Sequence, residues 1–215
     1  MPPGTLAAVI DRRERLAGAR LYLICDAQPD QFLEHALRGG VDIVQLRMKD
    51  AEDAKILAVA RRFTSLCASH DALFILNDRH DLVEGAGADG VHVGQDDAPV
   101  AQARSSVGPD LLVGLSTHTR AQIDAASGTD YIGVGPVHAT PTKPGRPAVG
   151  LELVRYAAEH ATVPFFAIGG INADNVADVR GAGARGVAVV RALVEADDPR
   201  RVAQELRARE PVGSA

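Results

Sequence analysis

Short apolar runs alternate along the chain with segments whose apolar residues recur at helical spacing. The runs occupy residues 21–25, 41–46, 73–76, 90–93, 111–115, 131–134, 164–168 and 186–190. They are too short for buried helices and are rich in Val, Ile and Leu, so each predicts a buried strand. Between them, residues 50–69 place Ile56, Leu57, Ala60, Phe63 and Cys67 on one helical face. Asp50 suits the N-cap of that helix, with Asp53 as the acidic half of a capping box. Asn172 opens another helix after Gly169-Gly170, and Asp197-Asp198-Pro199 opens the last, with Pro in its favoured first turn. Residues 1–18 predict a short N-terminal helix with Arg12, Arg13 and Arg15 on a solvated face, and the chain from Pro211 onward reads as a frayed tail. Glycine-rich phrases at 38–42, 85–90, 128–130 and 181–186 each precede a strand, as a helix C-cap and αβ loop would.

About eight βα units in one undivided chain predict an α/β fold of the (β/α)8 TIM-barrel type with a short N-terminal helix. Residues 1–215 form one domain on this reading, with the barrel core at about 20–208. Composition agrees: 46% of residues are hydrophobic and 24% charged, which excludes a mostly disordered chain. There is no Trp and aromatics are 4%, so the core is aliphatic, as parallel strands buried on both faces require. Two cysteines, Cys25 and Cys67, cannot make a disulfide scaffold and read as buried thiols. The net charge of −5 leaves no electrostatic footprint for nucleic acid. No apolar run approaches the ~20 residues of a membrane span, and no basic, apolar leader is visible. The expectation is a cytoplasmic protein with neither nucleic acid nor membrane as partner.

In a barrel, chemistry sits at the C-terminal ends of the strands. There the second run delivers Gln45, Arg47 and Lys49, which period-two alternation turns to one face while Met48 points away. Two cations and an amide converging at a barrel mouth call for an anion. The third run delivers Asn77-Asp78, the fourth Asp97 and the fifth Ser116. The sixth opens into a loop carrying Thr140, Thr142 and Lys143; the seventh ends in Gly169-Gly170 and the eighth at Val190-Arg191. Asp78 and Asp97 are hard oxygen donors able to hold Mg²⁺ against a diphosphate. Gly169-Gly170 leading into a helix N-terminus, with the turn after the eighth strand, suits a second phosphate held by backbone N–H groups. His92, inside a strand, reads as a satisfied core histidine, and His118 as a helix-start residue.

These blocks together resemble the thiamine phosphate synthase family. The resemblance runs from about Leu21 to Leu206 and rests on Val44–Lys49, Leu76-Asn77-Asp78, Gly90–Asp97, Gly114–Thr119, Gly133–Pro136, Thr140–Lys143 and Ile168–Ile171. It implies a transferase of thiamine biosynthesis that joins hydroxymethylpyrimidine diphosphate to hydroxyethylthiazole phosphate, releasing diphosphate. By position, Gln45, Arg47, Lys49, Asn77 and Lys143 match residues that hold the pyrimidine diphosphate. Asp78 and Asp97 match the Mg²⁺ ligands, and Ser116 a residue near the reacting centre. Thr140, Thr142, Gly170, Val190 and Arg191 match the thiazole phosphate site. Arg47, Lys49, Ser116 and Lys143 are the expected catalytic set, working by charge neutralisation and positioning rather than by a strong base. The chain departs from the family pattern at Met48, where an acidic residue is common, and at Arg191, where a small Ser is common. Three alternatives stay open: a thiazole tautomerase, whose expected His is replaced by Pro136; another phosphate-binding barrel; and a non-catalytic ligand-binding barrel. Homo-oligomerisation also stays open.

Overall fold

The computed structural model describes residues 12–140 and 147–208. Among them, eight parallel strands pair in sequence order and close on themselves, β8 against β1. The strands are β1 (Leu21–Cys25), β2 (Ile43–Leu46), β3 (Leu73–Asn77), β4 (Gly90–Val93), β5 (Leu112–Thr117), β6 (Tyr131–Val134), β7 (Phe165–Ile168) and β8 (Gly186–Val189). The helices are α1 (12–18), α2 (Asp30–Arg38), α3 (Asp53–Ala68), α4 (Val83–Ala86), α5 (Val100–Val107), α6 (Arg120–Asp124), α7 (Gly150–His160), α8 (Val176–Gly181), α9 (Arg191–Val194) and α10 (Pro199–Ala208). This is the (β/α)8 barrel expected from the alternating pattern.

Period-two alternation divides the strand side chains between two compartments. Tyr22, Ile43, Leu73, Ile75, Leu112, Tyr131, Phe166 and Ala188 fill the barrel interior. Their neighbours Leu21, Leu23, Val44, Leu46, Phe74, Leu76, Val91 and Val93 face outward into the layer between strands and helices. Both faces are therefore dry, which explains why the strands read as nearly continuous apolar runs.

The closed end of the barrel is held by a repeated device. Asp42, Asp89 and Asp130 each stand directly before a strand, and each carboxylate accepts an amide from the start of the strand before it. The donors are Leu21 N at 3.0 Å, Phe74 N at 2.9 Å and Val113 N at 2.8 Å. Each carboxylate also meets arginine: Arg207 at 2.6 Å on Asp42, Arg12 at 2.8 Å on Asp89, and both Arg13 and Arg104 on Asp130. The expectation of a solvated arginine face on α1 is therefore corrected. Leu16 and Ala19 dock onto the interior cluster, and that docking lays Arg12 and Arg13 across the strand starts. Arg15 Nε donates to the Asp71 carbonyl at 3.2 Å. The fourth glycine-rich phrase carries Arg185 where the others carry Asp, so the device stops at β8.

Two helix starts differ from the sequence expectation. α3 begins at Asp53 after an extended Glu52, with no side-chain cap, so Asp50 stays in the loop. Asp53 gives its carboxylate to Arg79 at 2.5 Å instead of to the backbone. α8 begins at Val176, not at Asn172. Asn175 Oδ1 accepts Asn172 N and Asn172 Oδ1 accepts Asp174 N, both at 2.9 Å. These side-chain turns compete with helix over that stretch. α10 starts as expected, with Asp198 Oδ1 accepting Arg201 N at 3.0 Å and Pro199 in the first turn.

Candidate active site

The C-terminal strand ends bring most of the expected residues to one mouth. Lys49 Nζ lies 3.3 Å from Asp78 Oδ2 and 3.9 Å from Asp97 Oδ1. Asp78 has φ 61°, a left-handed conformation that Asp tolerates better than most residues, and its amide is pinned to the His92 carbonyl at 2.8 Å. Partial burial raises the Asp78 carboxyl above the usual Asp range, and the hydrogen bond and like charge of Asp97 add to this; Lys49 opposes it. Two carboxylates held this close gain from a cation. The donor set, two hard oxygens and no third carboxylate, His or Cys grouped with them among the described residues, fits Mg²⁺. That ion commonly takes one or two carboxylates and completes its shell with water and phosphate oxygens.

Two cavities open at this mouth. One, of about 250 Å³, is lined by Asp26, Gln45, Arg47, Asn77, His92 and Ser116 among others. Asn77 contributes to its wall, and Asn77 Nδ2 is a buried donor without a hydrogen-bond partner. The other, of about 260 Å³, is lined by Thr140, Gly169, Gly170, Val190 and Arg191 among others. Ser116, Ile168 and Val190 belong to both walls.

The glycines of the second cavity act differently from the sequence expectation. Because α8 starts at Val176, Gly169-Gly170 leads into the Asn172–Asn175 turn and not directly into a helix. Gly170 has φ 63°, and a Cβ there would lie 2.8 Å from the His138 Cβ, so backbone alone fits. Asn175 Nδ2 fastens the Gly170 carbonyl at 2.9 Å. At β8 a helix does follow directly: α9 begins at Arg191, immediately after Val190. Arg191 is exposed and its carboxylate neighbour, Glu195, is 4.0 Å away. Met48 packs against the outer core and away from the mouth, as period two requires. Thr142 and Lys143 lie outside the described residues.

The floor of the mouth holds groups that sequence reasoning passed over. Gln45 Nε2 lies 2.5 Å from Tyr22 Oη, which lies 3.0 Å from Tyr131 Oη. Tyr131 Oη is 3.2 Å from His92 Nδ1, and His92 Nε2 is 3.0 Å from Ser116 Oγ. An unbroken polar chain thus crosses the barrel interior from β2 to β5. Burial pushes both phenols up, so they stay protonated. Room for the rings comes from glycine: a Cβ on Gly114 would lie 2.2 Å from Tyr131 Cζ and 2.6 Å from His92 Nδ1. His92 is satisfied, as expected of a core histidine, but it also lines a cavity. The available signal was alternation: Tyr22 and Tyr131 occupy inward positions of β1 and β6. His118 does not start the helix; Thr119 caps α6, and His118 Nδ1 lies 2.5 Å from the Gly135 carbonyl.

Comparison with known proteins agrees with this arrangement. A family model described as thiamine monophosphate synthase matches residues 21–193. The chain is 52% identical over 195 residues to a thiamine-phosphate synthase of Gloeobacter violaceus, covering 89% of this chain and 57% of that protein. It is 50% identical over 206 residues to one of Thermobifida fusca, covering 92% of this chain and 94% of that protein. The chain thus spans under two thirds of some curated relatives and nearly the whole of others. A solved structure of thiamine phosphate pyrophosphorylase from Pyrococcus furiosus superposes with a TM-score of 0.83 at 34% identity, over 91% of this chain and 96% of that one. A 3-hexulose-6-phosphate synthase superposes at 0.65 with 24% identity, a likeness of fold alone. Matched over most of its length by the family model and by relatives near half identity, this chain belongs to the thiamine monophosphate synthase family.

Proposed function

We propose that this chain is a thiamine phosphate synthase: it joins hydroxymethylpyrimidine diphosphate to hydroxyethylthiazole phosphate, giving thiamine phosphate and diphosphate. The observation that carries the reading is the meeting of two cavities at Ser116, Ile168 and Val190. One is lined by Arg47 and by Asn77, whose amide nitrogen has no partner, with Lys49 and the carboxylate pair at the same strand ends; the other is lined by Thr140, Gly169, Gly170, Val190 and Arg191 among others. A reaction that unites two phosphorylated molecules needs such a junction.

The roles follow from placement. Gln45, Arg47, Lys49 and Asn77 hold the pyrimidine diphosphate, together with Lys143. Asp78 and Asp97 hold Mg²⁺, which when bound neutralises charge on the leaving diphosphate. Arg47 and Lys49 stabilise the negative charge that gathers on diphosphate as its bond to the pyrimidine methylene breaks. Ser116 touches both substrates at the reacting centre. Thr140, Thr142, Gly170, Val190 and Arg191 seat the thiazole phosphate so that its ring nitrogen faces that methylene. The nitrogen is already a neutral nucleophile, so positioning replaces a general base. Both substrates are small soluble molecules, and no described helix is long and apolar enough to cross a membrane; a cytoplasmic enzyme fits them.

The test is direct. Purified protein, both substrates and Mg²⁺ should yield thiamine phosphate, detected by the fluorescence of its oxidised form. Binding of both substrates without product would favour a ligand-binding barrel instead.

A further inference from the structure

The chain Gln45–Tyr22–Tyr131–His92–Ser116 has a direction, and the direction has chemical consequences. Four hydrogen bonds join five groups, and, with one proton on the imidazole, two opposite proton arrangements satisfy the same distances. In one, every donor points from Gln45 toward Ser116; in the other, every donor points back. The end groups decide between them. The amide nitrogen of Gln45, not its oxygen, faces Tyr22 at 2.5 Å. An amide nitrogen only donates, so Tyr22 Oη accepts there and its single proton goes to Tyr131 Oη at 3.0 Å. Tyr131 in turn gives its proton to His92 Nδ1 at 3.2 Å. With Nδ1 accepting, neutral His92 carries its proton on Nε2 and donates to Ser116 Oγ at 3.0 Å.

The geometry points to His92 as a positioning residue, held by Tyr131 in its Nε2–H form so that the Ser116 hydroxyl is turned to donate into the substrate cavity. Ser116 Oγ receives one hydrogen bond from His92, so its own proton is left for a ligand acceptor. At the far end, using the Gln45 nitrogen on Tyr22 leaves its oxygen as an acceptor. Gln45 and Ser116 both line the same cavity. The wall therefore presents one acceptor and one donor, fixed by a single buried chain. That pattern complements a ring edge carrying an amine beside an unprotonated nitrogen, as an aminopyrimidine does. The reverse polarity would consume the Ser116 proton on His92 and present the opposite pattern. The assignment of the ligand rests on the proposed function; the tautomer does not.

Nitrogen-15 NMR of histidine-labelled protein without substrates tests it at neutral pH. The His92 signals should report a protonated Nε2 and an unprotonated Nδ1. A protonated Nδ1 overturns the proposal whether or not the protein makes thiamine phosphate. Tyr131→Phe removes the donor to Nδ1, so its His92 should become a tautomer mixture. Its kcat should fall by up to about tenfold, the scale of one hydrogen bond, while the KM for the thiazole phosphate holds. The same change made in Ser116→Ala should cost no further kcat, because Tyr131 acts through Ser116. An equal loss in both backgrounds would make Tyr131 merely structural and overturn the relay. Should Tyr131→Phe fail to fold, the tautomer of the unaltered protein decides alone.

Discussion

The ammonium of Lys49 lies 3.3 Å from Asp78 and 3.9 Å from Asp97, so it stands beside the two carboxylates proposed to hold a divalent cation. A cation entering there relieves the same crowding of negative charge that Lys49 relieves in part. Charge at this mouth is thus arranged for ligands at some cost to the unliganded protein.

That cost predicts a trade between activity and stability at Asp78. Its carboxyl is raised in the folded protein, so folding binds the proton more tightly than the unfolded chain does. The resulting stability is present at low pH and is lost as pH rises through the raised value. Asp78→Asn, which keeps a side chain tolerant of φ 61°, removes this loss. In EDTA at pH 7 the variant should melt a few degrees above the parent, roughly 2–4 °C per kcal/mol gained. The gap should close below about pH 4, near the ordinary Asp range. Synthase activity should fall by about 100-fold or more and stop responding to Mg²⁺. Melting curves against pH and a metal titration check both parts.

Separate cavities predict separable binding defects. Arg47→Ala should raise the KM for the pyrimidine diphosphate by roughly tenfold or more and lower kcat, with the thiazole phosphate KM nearly unchanged. Arg191→Ser should raise the thiazole phosphate KM a few-fold and leave kcat nearly intact, because Thr140, Gly170 and Val190 line the same cavity and remain in place. Steady-state kinetics with each substrate varied in turn decides. Equal defects toward both substrates in either variant would argue for one shared anion site.

At the closed end, Asp130→Ala should destabilise without touching catalysis. Its carboxylate accepts the Val113 amide and pairs with Arg13 and Arg104. Removing it leaves the Val113 amide unpaired, while Arg13 and Arg104 are partly exposed and keep carbonyl partners, so the loss is about 1–3 kcal/mol. Urea unfolding should show the loss, with kcat and both KM values near those of the parent.

Two glycines should respond in opposite senses to alanine. Gly181 ends α8 with open space where a Cβ would go, so Gly181→Ala should gain up to about 1 kcal/mol from helix propensity. Gly114→Ala would drive its methyl into Tyr131 and His92. It should lower both the melting temperature and kcat, since the crowded rings belong to the polar chain of the floor.

The barrel was legible because its strands are buried on both faces. Leu21–Cys25 or Tyr131–Val134 had to be apolar throughout, and runs of that length bounded by charged residues or glycine leave few other readings. The mouth was legible at Gln45, Arg47 and Lys49 because alternation alone turns them together. What alternation could not show was partnership. Arg12 looks like any solvated arginine until Asp89, 77 residues away, is brought beneath it. Tyr22 and Tyr131 read as ordinary apolar ring positions, because their hydroxyl contact spans 109 residues. Asn172 looked like a helix opener because its competing bonds, to the Asn175 side chain and the Asp174 amide, are a property of folded loop geometry.

The arginine–aspartate device bears on how the chain is made. Arg207 reaches Asp42 across 165 residues, and β1 pairs with β8 at the seam of the barrel. On a ribosome, Asp42 emerges long before its partner. The nascent chain can pair β1 through β7 by local addition, yet β8 and α10 arrive only after the other seven strands have been made. Closure is then a late, long-range event that carries a large loop-entropy penalty. Until it happens, the free edges of β1 and the newest strand stay open to wrong partners, including other nascent chains.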